Sequence, residues 1–362
     1  MLGQHYRPWS ILSVADDTSP SAWMHSLINV FSWRQAGTRQ SHEMDIIFCR
    51  LSAISRMLLH PYFVFDGPDC PQLKRGKDVV GSTFPHLLVQ CFQELLMAFG
   101  FNWHMAPGEA DAELANLQSY GLIEAVVTPY NDALLFGATC IIRSGTPYST
   151  RYEDVLVYSS KDIENVVGLE LGDLYLILLM SSVDAETGNR WCSVDVARWL
   201  AKYGFGRSLL RAAAALQFAE FMSFVSKWRD SVCEVLRTDP RQFLGRRHYE
   251  LARIIVEEHI EFPDPAVLAM YLLPLTSWSD NGCPPITVVT SRQPDLTSLA
   301  EFCSQYLDWP PDVIQSRLAD ARAGAAVHAL LQVSSAIINT STPHHHPPYP
   351  AARQCRRRET AT

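Results

Sequence analysis

Apolar residues first recur at helical spacing over residues 44–59, where Ile46, Ile47, Leu51, Ile54, Met57 and Leu58 share one face. That spacing predicts a core-facing helix. It leads into Tyr62-Phe63-Val64-Phe65, an aromatic and β-branched run halted by Asp66-Gly67-Pro68, which reads as a buried strand. The alternation continues. Residues 87–99 put Leu88, Phe92, Leu95, Leu96 and Phe99 on one helical face and stop at Gly100. Residues 101–105 are a short extended piece, and a helix after Pro107-Gly108-Glu109 turns Leu114 and Leu117 inward before Gly121. Strands are predicted over 122–128, 140–143 and 155–158, with a turn or short helix over 134–137. A first strand over 11–14 and a helix beginning near Trp23 precede them all. Strands alternating with helices at this spacing predict an α/β fold, a mostly parallel sheet covered by helices.

Beyond Lys161 the pattern is helical over 171–183, 194–203, 207–219, 221–236 and 241–261. Phe262-Pro263-Asp264-Pro265 breaks it. Residues 271–297 read as irregular, and helices return over 299–306 and 311–332. The expected division is an α/β core over 1–150, a helical region over 151–245 and a mainly helical C-terminal region over 246–340. The His- and Arg-rich tail, 341–362, is expected to be disordered.

Composition narrows the class. At 362 residues, 48% hydrophobic and 19% charged, the chain can bury a sizeable core and form two or three domains. A net charge of −8 means that nucleic-acid binding would have to come from a local basic surface. Nine cysteines without paired metal-ligand spacing fit reduced thiols. With no secretory apolar region at the start and no membrane-length apolar run, the expectation is a soluble intracellular protein without membrane association.

Four acids fall where chemistry is done. Asp66 ends a strand, at the crevice where open α/β sheets bind ligands. Glu109 and Asp111 lie in the first turn of a helix, and Asp132 follows another strand. Taken singly, each has a structural reason: Asp-Gly makes turns, and acids at a helix N-terminus meet its macrodipole. Taken together they make a hard-metal site, which magnesium suits. Such a carboxylate cluster can hold two ions for phosphodiester cleavage. Lys74, Arg75 and Lys77 follow Asp66 and are either phosphate contacts or simply solvated charges.

Several blocks in order carry a family likeness. Phe63-Val64-Phe65-Asp66-Gly67-Pro68, Pro71-Gln72-Leu73-Lys74-Arg75-Gly76-Lys77, Ala106-Pro107-Gly108-Glu109-Ala110-Asp111-Ala112-Glu113-Leu114 and Asp132-Ala133-Leu134-Leu135-Phe136-Gly137-Ala138 resemble the XPG/flap endonuclease family, in particular its PIN-domain-like fungal members. The blocks span residues 60–145, and a looser likeness runs on to about 245. The resemblance implies a PIN-like nuclease core, a helix–two-turn–helix DNA-binding element, and magnesium- or manganese-dependent cleavage of branched or flapped DNA in nuclear DNA repair. Carried over residue by residue, it implies Asp66, Glu109, Asp111, Asp132 and Asp184 as metal-binding acids, with Asp17 a looser match. Lys74, Arg75, Lys77, Lys202, Arg207 and Arg211 become candidate DNA contacts.

The departures are specific. Met1-Leu2-Gly3-Gln4 replaces the family's glycine-bearing start, and Ser182-Val183 stands where paired glycines precede Asp184. The family's Gly-x-Gly is lost around Cys192, which is flanked by Trp191 and Ser193. The family's Asp-x-Asp is here Tyr130-Asn131-Asp132, so one carboxylate is missing. Three readings stay open: a metal-dependent structure-specific endonuclease, a pseudo-nuclease that binds nucleic acid or protein without efficient cutting, and an unrelated α/β protein with acids as helix caps.

Overall fold

The structure, a computed structural model, describes residues 12–15, 41–56, 61–70, 73–74, 77–78, 86–128, 131–144, 155–181, 192–257, 262–279 and 292–340. Among the described residues six strands form one sheet: β1 (Leu12–Ala15), β2 (Pro61–Phe65), β3 (Asn102–Met105), β4 (Ala125–Val127), β5 (Cys140–Ser144) and β6 (Val155–Ser159). The helices are α1 (Ser41–Ser55), α2 (His86–Ala98), α3 (Ala110–Ser119), α4 (Asp132–Leu135), α5 (Leu171–Ser181), α6 (Val194–Ala201), α7 (Phe205–Ala215), α8 (Phe218–Thr238), α9 (Tyr249–Glu257), α10 (Pro265–Leu272), α11 (Leu296–Tyr306) and α12 (Pro311–Thr340). A two-stranded hairpin at Leu73–Lys74 and Lys77–Asp78, and a short helical turn and π turn over 160–167, complete the elements.

The strand order is β3-β2-β1-β4-β5-β6, parallel except where β6 pairs antiparallel to β5. The chain builds outward from β1 to β2 and β3, then crosses to β4 and β5 on the other side. The order therefore reverses at β1, and ligand crevices in open α/β sheets lie at such switch points, beyond the carboxyl ends of the strands.

Pleating sends the side chains of β2 to opposite faces. Phe63 and Phe65 enter a core built from Phe48 and Leu51 of α1, Phe92 and Leu95 of α2, and Leu299 and Phe302 of α11. Tyr62 and Val64 enter the other face, against Ala110, Leu114 and Leu117 of α3 with Val126 and Ile141. A separate core joins α5 through α10, centred on Leu176, Leu200, Trp228, Val232 and Leu236. Its tightest crossing is α5 on α7. A Cβ on Gly172 would lie 2.6 Å from the Gly206 carbonyl oxygen, and one on Gly206 only 2.2 Å from that of Gly172. Residues after 246 divide between the two cores, α9 and α10 in the helical one and α11 and α12 on the sheet.

The mostly parallel, helix-covered sheet is as expected, with differences in detail. Residues 241–248 are a loop rather than part of a helix over 241–261, because Asp239 turns the chain and accepts the Leu244 amide at 3.1 Å. The expected break at residues 262–265 is present, but it is followed at once by a helix over Pro265–Leu272 that the sequence reading did not assign. Asp264 caps it through the Ala266 and Val267 amides, with Pro265 in its first turn. The first strand is found at Leu12–Ala15, while the helix near Trp23 and the tail beyond 340 lie outside the described residues. Among the described residues no helix is long and apolar enough to cross a membrane.

Candidate metal centre

The segment after β2 is laced to the segment before α3. The Ala106 amide donates to Phe65 O at 2.9 Å, the Gly67 amide to Gly108 O at 2.7 Å, and the Asp69 amide to Pro107 O at 3.2 Å. Asp66 completes the junction: its Oδ1 accepts the Ala110 amide at 2.8 Å. It therefore serves as a tertiary cap for α3, whose N-cap residue, Glu109, makes no side-chain capping bond. The first turn of α3 carries Asp111, 0% exposed, two residues after Glu109, 6% exposed. Asp66, Glu109 and Asp111 thus all belong to one helix start, where the macrodipole favours negative charge.

Asp132 opens α4, just beyond β4 and on the other side of β1. Its neighbour Asn131 accepts from Arg143 Nη1 at 2.8 Å. The Tyr175 hydroxyl donates to Leu135 O at 2.7 Å and ties α4 to α5, which ends three residues before Asp184. Burial, with help from Tyr271, pushes the Tyr175 phenol well above its ordinary value, so it stays a proton donor. Asp17, Tyr130 and Asp184 lie outside the described residues. Among the described residues, no three His, Cys, Asp or Glu side chains gather closely enough to hold a metal ion. The donor chemistry, carboxylates and no thiolate, fits a hard divalent cation.

A neighbouring network escaped the sequence reading. Tyr62 OH and His104 Nδ1 are 2.7 Å apart, and His104 Nε2 and Glu113 Oε1 3.1 Å. The Ser277 amide donates to Glu113 Oε2 at 2.8 Å. An ionised Glu113 only accepts, so Nε2 carries the proton and, with His104 neutral, Nδ1 accepts from Tyr62. Burial pushes the Glu113 carboxyl up, but the bonds from His104 and Ser277 outweigh it and leave it below its ordinary value. Thr276 accepts from Asn116 at 2.9 Å, and the Trp278 ring stacks on Tyr120 at 4.9 Å. Residues 276–278 therefore strap α3 from Glu113 to its C-cap at Tyr120. The signal in the sequence was Glu113 alone, one turn after Glu109.

The candidate DNA contacts fall in two places. The backbones of Lys74 and Lys77 form the small hairpin after Asp66, and Arg75 between them lies outside the described residues. Lys202 and Arg211 are exposed on the α6–turn–α7 unit. Arg207 is committed locally, with Nε 3.2 Å from Asp173 Oδ2 and Nη1 2.9 Å from Glu170 Oε1. Burial raises the Asp173 carboxyl, opposed by the Glu170 amide and by Arg207. Cys192 is buried, and burial pushes its thiol up to about 12, so it packs as an apolar residue.

The chain has the fold of a PIN-like α/β protein with acids beyond the carboxyl ends of its strands. Residues 100–184 match the XPG I-region family model. The chain is 36% identical over 124 residues to "Flap endonuclease GEN-like 1" of Arabidopsis thaliana, covering 34% of this chain and 20% of that protein. A rice protein of the same name, from Oryza sativa subsp. japonica, is 25% identical over 82% of this chain and 60% of its own length. The chain thus spans less than two thirds of either relative. A solved structure of the Holliday junction-resolving enzyme GEN1 with product DNA and Mg2+ superposes with a TM-score of 0.64 at 25% identity, covering 88% of this chain and 70% of that one. The likeness is thus to XPG/flap structure-specific endonucleases, over the I-region in sequence and over most of the chain in fold, and it is a divergent one.

Proposed function

We propose that the chain is a divalent-metal-dependent endonuclease that cuts branched or flapped DNA in the nucleus, and that it holds its second metal weakly. The observation supporting this most is the Asp66–Ala110 bond, which joins one strand-end acid to the helix start bearing Glu109 and Asp111. With Asp17, Asp132 and Asp184, these acids would hold magnesium, or manganese in its place. Two such ions supply activation of a water and stabilisation of the leaving oxygen in phosphodiester hydrolysis. The protein's own part is to fix the carboxylates before metal arrives. Asp66 is oriented by an amide, Glu109 and Asp111 ride on a strapped helix, and the α3 dipole offsets their mutual repulsion. Lys74, Arg75 and Lys77 on one side, and Lys202 and Arg211 on the other, would take DNA phosphates, with Arg207 bracing the second group.

Tyr130 supplies the distinctive element. A phenol is neutral at pH 7 and a poor magnesium ligand. Asp132 and Asp184 would then be the acids left to hold a second ion, and turnover would suffer more than DNA binding.

The test is a thermal melt and a cleavage assay on flap, bubble, nicked and four-way DNA. Melting is expected to rise with millimolar magnesium or manganese over chelator. Asp66→Asn, which keeps an oxygen to accept the Ala110 amide, should lose that rise, while Asp69→Ala keeps it. A melt indifferent to metal rejects the site. Tight DNA binding with no cleavage of any substrate in manganese selects the pseudo-nuclease reading instead.

A further inference from the structure

The loop between α8 and α9, residues 239–248, carries Arg241, Arg246 and Arg247 in a chain of net charge −8. All three are exposed, and among the described residues no carboxylate pairs with any of them. The loop's own acid is turned away. Asp239, 8% exposed, accepts the Tyr203 hydroxyl at 2.6 Å and the Leu244 amide at 3.1 Å. His248 is pushed down by burial and by Arg246, so it adds no charge at neutral pH. The exposed face of the loop is therefore purely cationic, and its cations are guanidiniums, suited to bidentate contact with phosphate.

The loop is also built rather than merely spanning a gap. Asp239 (φ 44°) and Gln242 (φ 57°) hold left-handed backbone that side chains rarely adopt. Leu244, 1% exposed, plugs the loop into the helical core, and the His248 amide closes it on Leu236 O at 2.7 Å. The loop is fastened to the turn between α6 and α7 as well. The Arg241 amide donates to the Tyr203 hydroxyl at 3.1 Å, the Phe243 ring lies 5.0 Å from that of Tyr203, and the Arg241 guanidinium sits 6.0 Å from the same ring. Tyr203 is next to Lys202. The loop thus continues the basic surface of the α6–turn–α7 unit.

We propose that the 239–248 loop is a phosphate-binding edge that grips the backbone of a duplex arm of DNA through Arg241, Arg246 and Arg247. This rests on the reading of the chain as a DNA endonuclease and assigns it a contact outside both candidate cation groups. Backbone contact of this kind is independent of sequence and steeply salt-dependent.

The test is fluorescence anisotropy of the full chain on a labelled four-way junction in EDTA, over a salt series and with arms of increasing length. The triple variant Arg241→Gln/Arg246→Gln/Arg247→Gln should bind about tenfold or more weaker near 0.1 M salt, its log–log salt slope reduced by about two to three, at ~0.9 per phosphate lost. The deficit should grow with arm length. Arg253→Gln, whose partner is Glu250, should bind like wild type. Because Arg241 packs on Tyr203, Arg246→Gln/Arg247→Gln is the check if the triple variant melts lower, with a slope change of about two. Wild-type affinity and slope in a folded double variant overturn the proposal while leaving DNA binding intact. Failure of the wild type to bind any junction at low salt overturns both this proposal and the endonuclease reading. A loop variant that loses only a polyglutamate competitor marks a dock for acidic protein and likewise rejects the proposal.

Discussion

A Cβ on Gly67 would sit 1.8 Å from Ala106 O and 2.4 Å from Pro107 O, so the backbone that laces β2 to α3 occupies the space of any side chain. Gly67→Ala is expected to cost at least about 3 kcal/mol, because backbone rather than a pliant side chain must move. Chemical denaturation measures it, and an intact lacing after the substitution would appear as a loss under about 1 kcal/mol. At position 130, Tyr130→Asp should raise cleavage and lower the metal needed for half-maximal rate, as should Pro129→Asp with Tyr130→Asp. A wild type already fast in low magnesium, and unimproved by either variant, ends the account of a weak second ion. The placement of Asp66, Glu109 and Asp111 was legible because strand ends and helix starts announce themselves in local pattern. Tyr62, His104 and Ser277 were not, since nothing local links residues separated by 42 and 164 positions from their partners.

At the scale of elements, the 239–248 loop has its own titration. Burial pushes the Asp239 carboxyl up, but the Tyr203 hydroxyl and the loop amides outweigh it and hold the group below its ordinary value. A carboxyl more acidic in the folded chain stabilises the fold above its unfolded pKa, about 3.9, and that contribution disappears as pH falls through the lower folded value. The melting-temperature gap between wild type and Asp239→Asn should therefore be level from about pH 8 to about pH 5 and close below about pH 4. A gap that widens in acid contradicts the assignment. The loop was hidden in the sequence because Phe243, Leu244, Leu251 and Ile255 continue a helical rhythm across it. At Asp264-Pro265 the break was legible, but the helix that starts from it was not. Proline ends helices, but behind a capping aspartate it occupies the first turn, where its missing N–H costs nothing.

For the whole molecule, the sheet depends on helices far along the chain. Leu299, Phe302 and Cys303 of α11 and Ala321 of α12 are buried with Phe48, Leu95 and Phe99. The Asp295 amide also donates to Ala98 O at 2.8 Å, fixing the start of α11 to the end of α2. Removing residues 292–362 should uncover this core, so the shortened chain is expected to lose cooperative melting of its sheet half and to be cut by protease between α1 and α2. A deletion that melts and resists protease like the full chain would show that α11 and α12 merely decorate the sheet.

The same arrangement sets a schedule during synthesis. The buried residues of the helical core all fall between Leu176 and Leu268, whereas those of the sheet core run from Met44 to Ala321. On the ribosome the later half of the fold therefore closes first. Phe63 and Phe65 are made long before Leu299 and wait for it roughly ten to fifty seconds at the usual ~5–20 residues per second. Throughout that interval the nascent chain can cover its aromatic strand face with α1 and α2 but leaves the seat of α11 and α12 open, which makes its early strands natural clients for a chaperone.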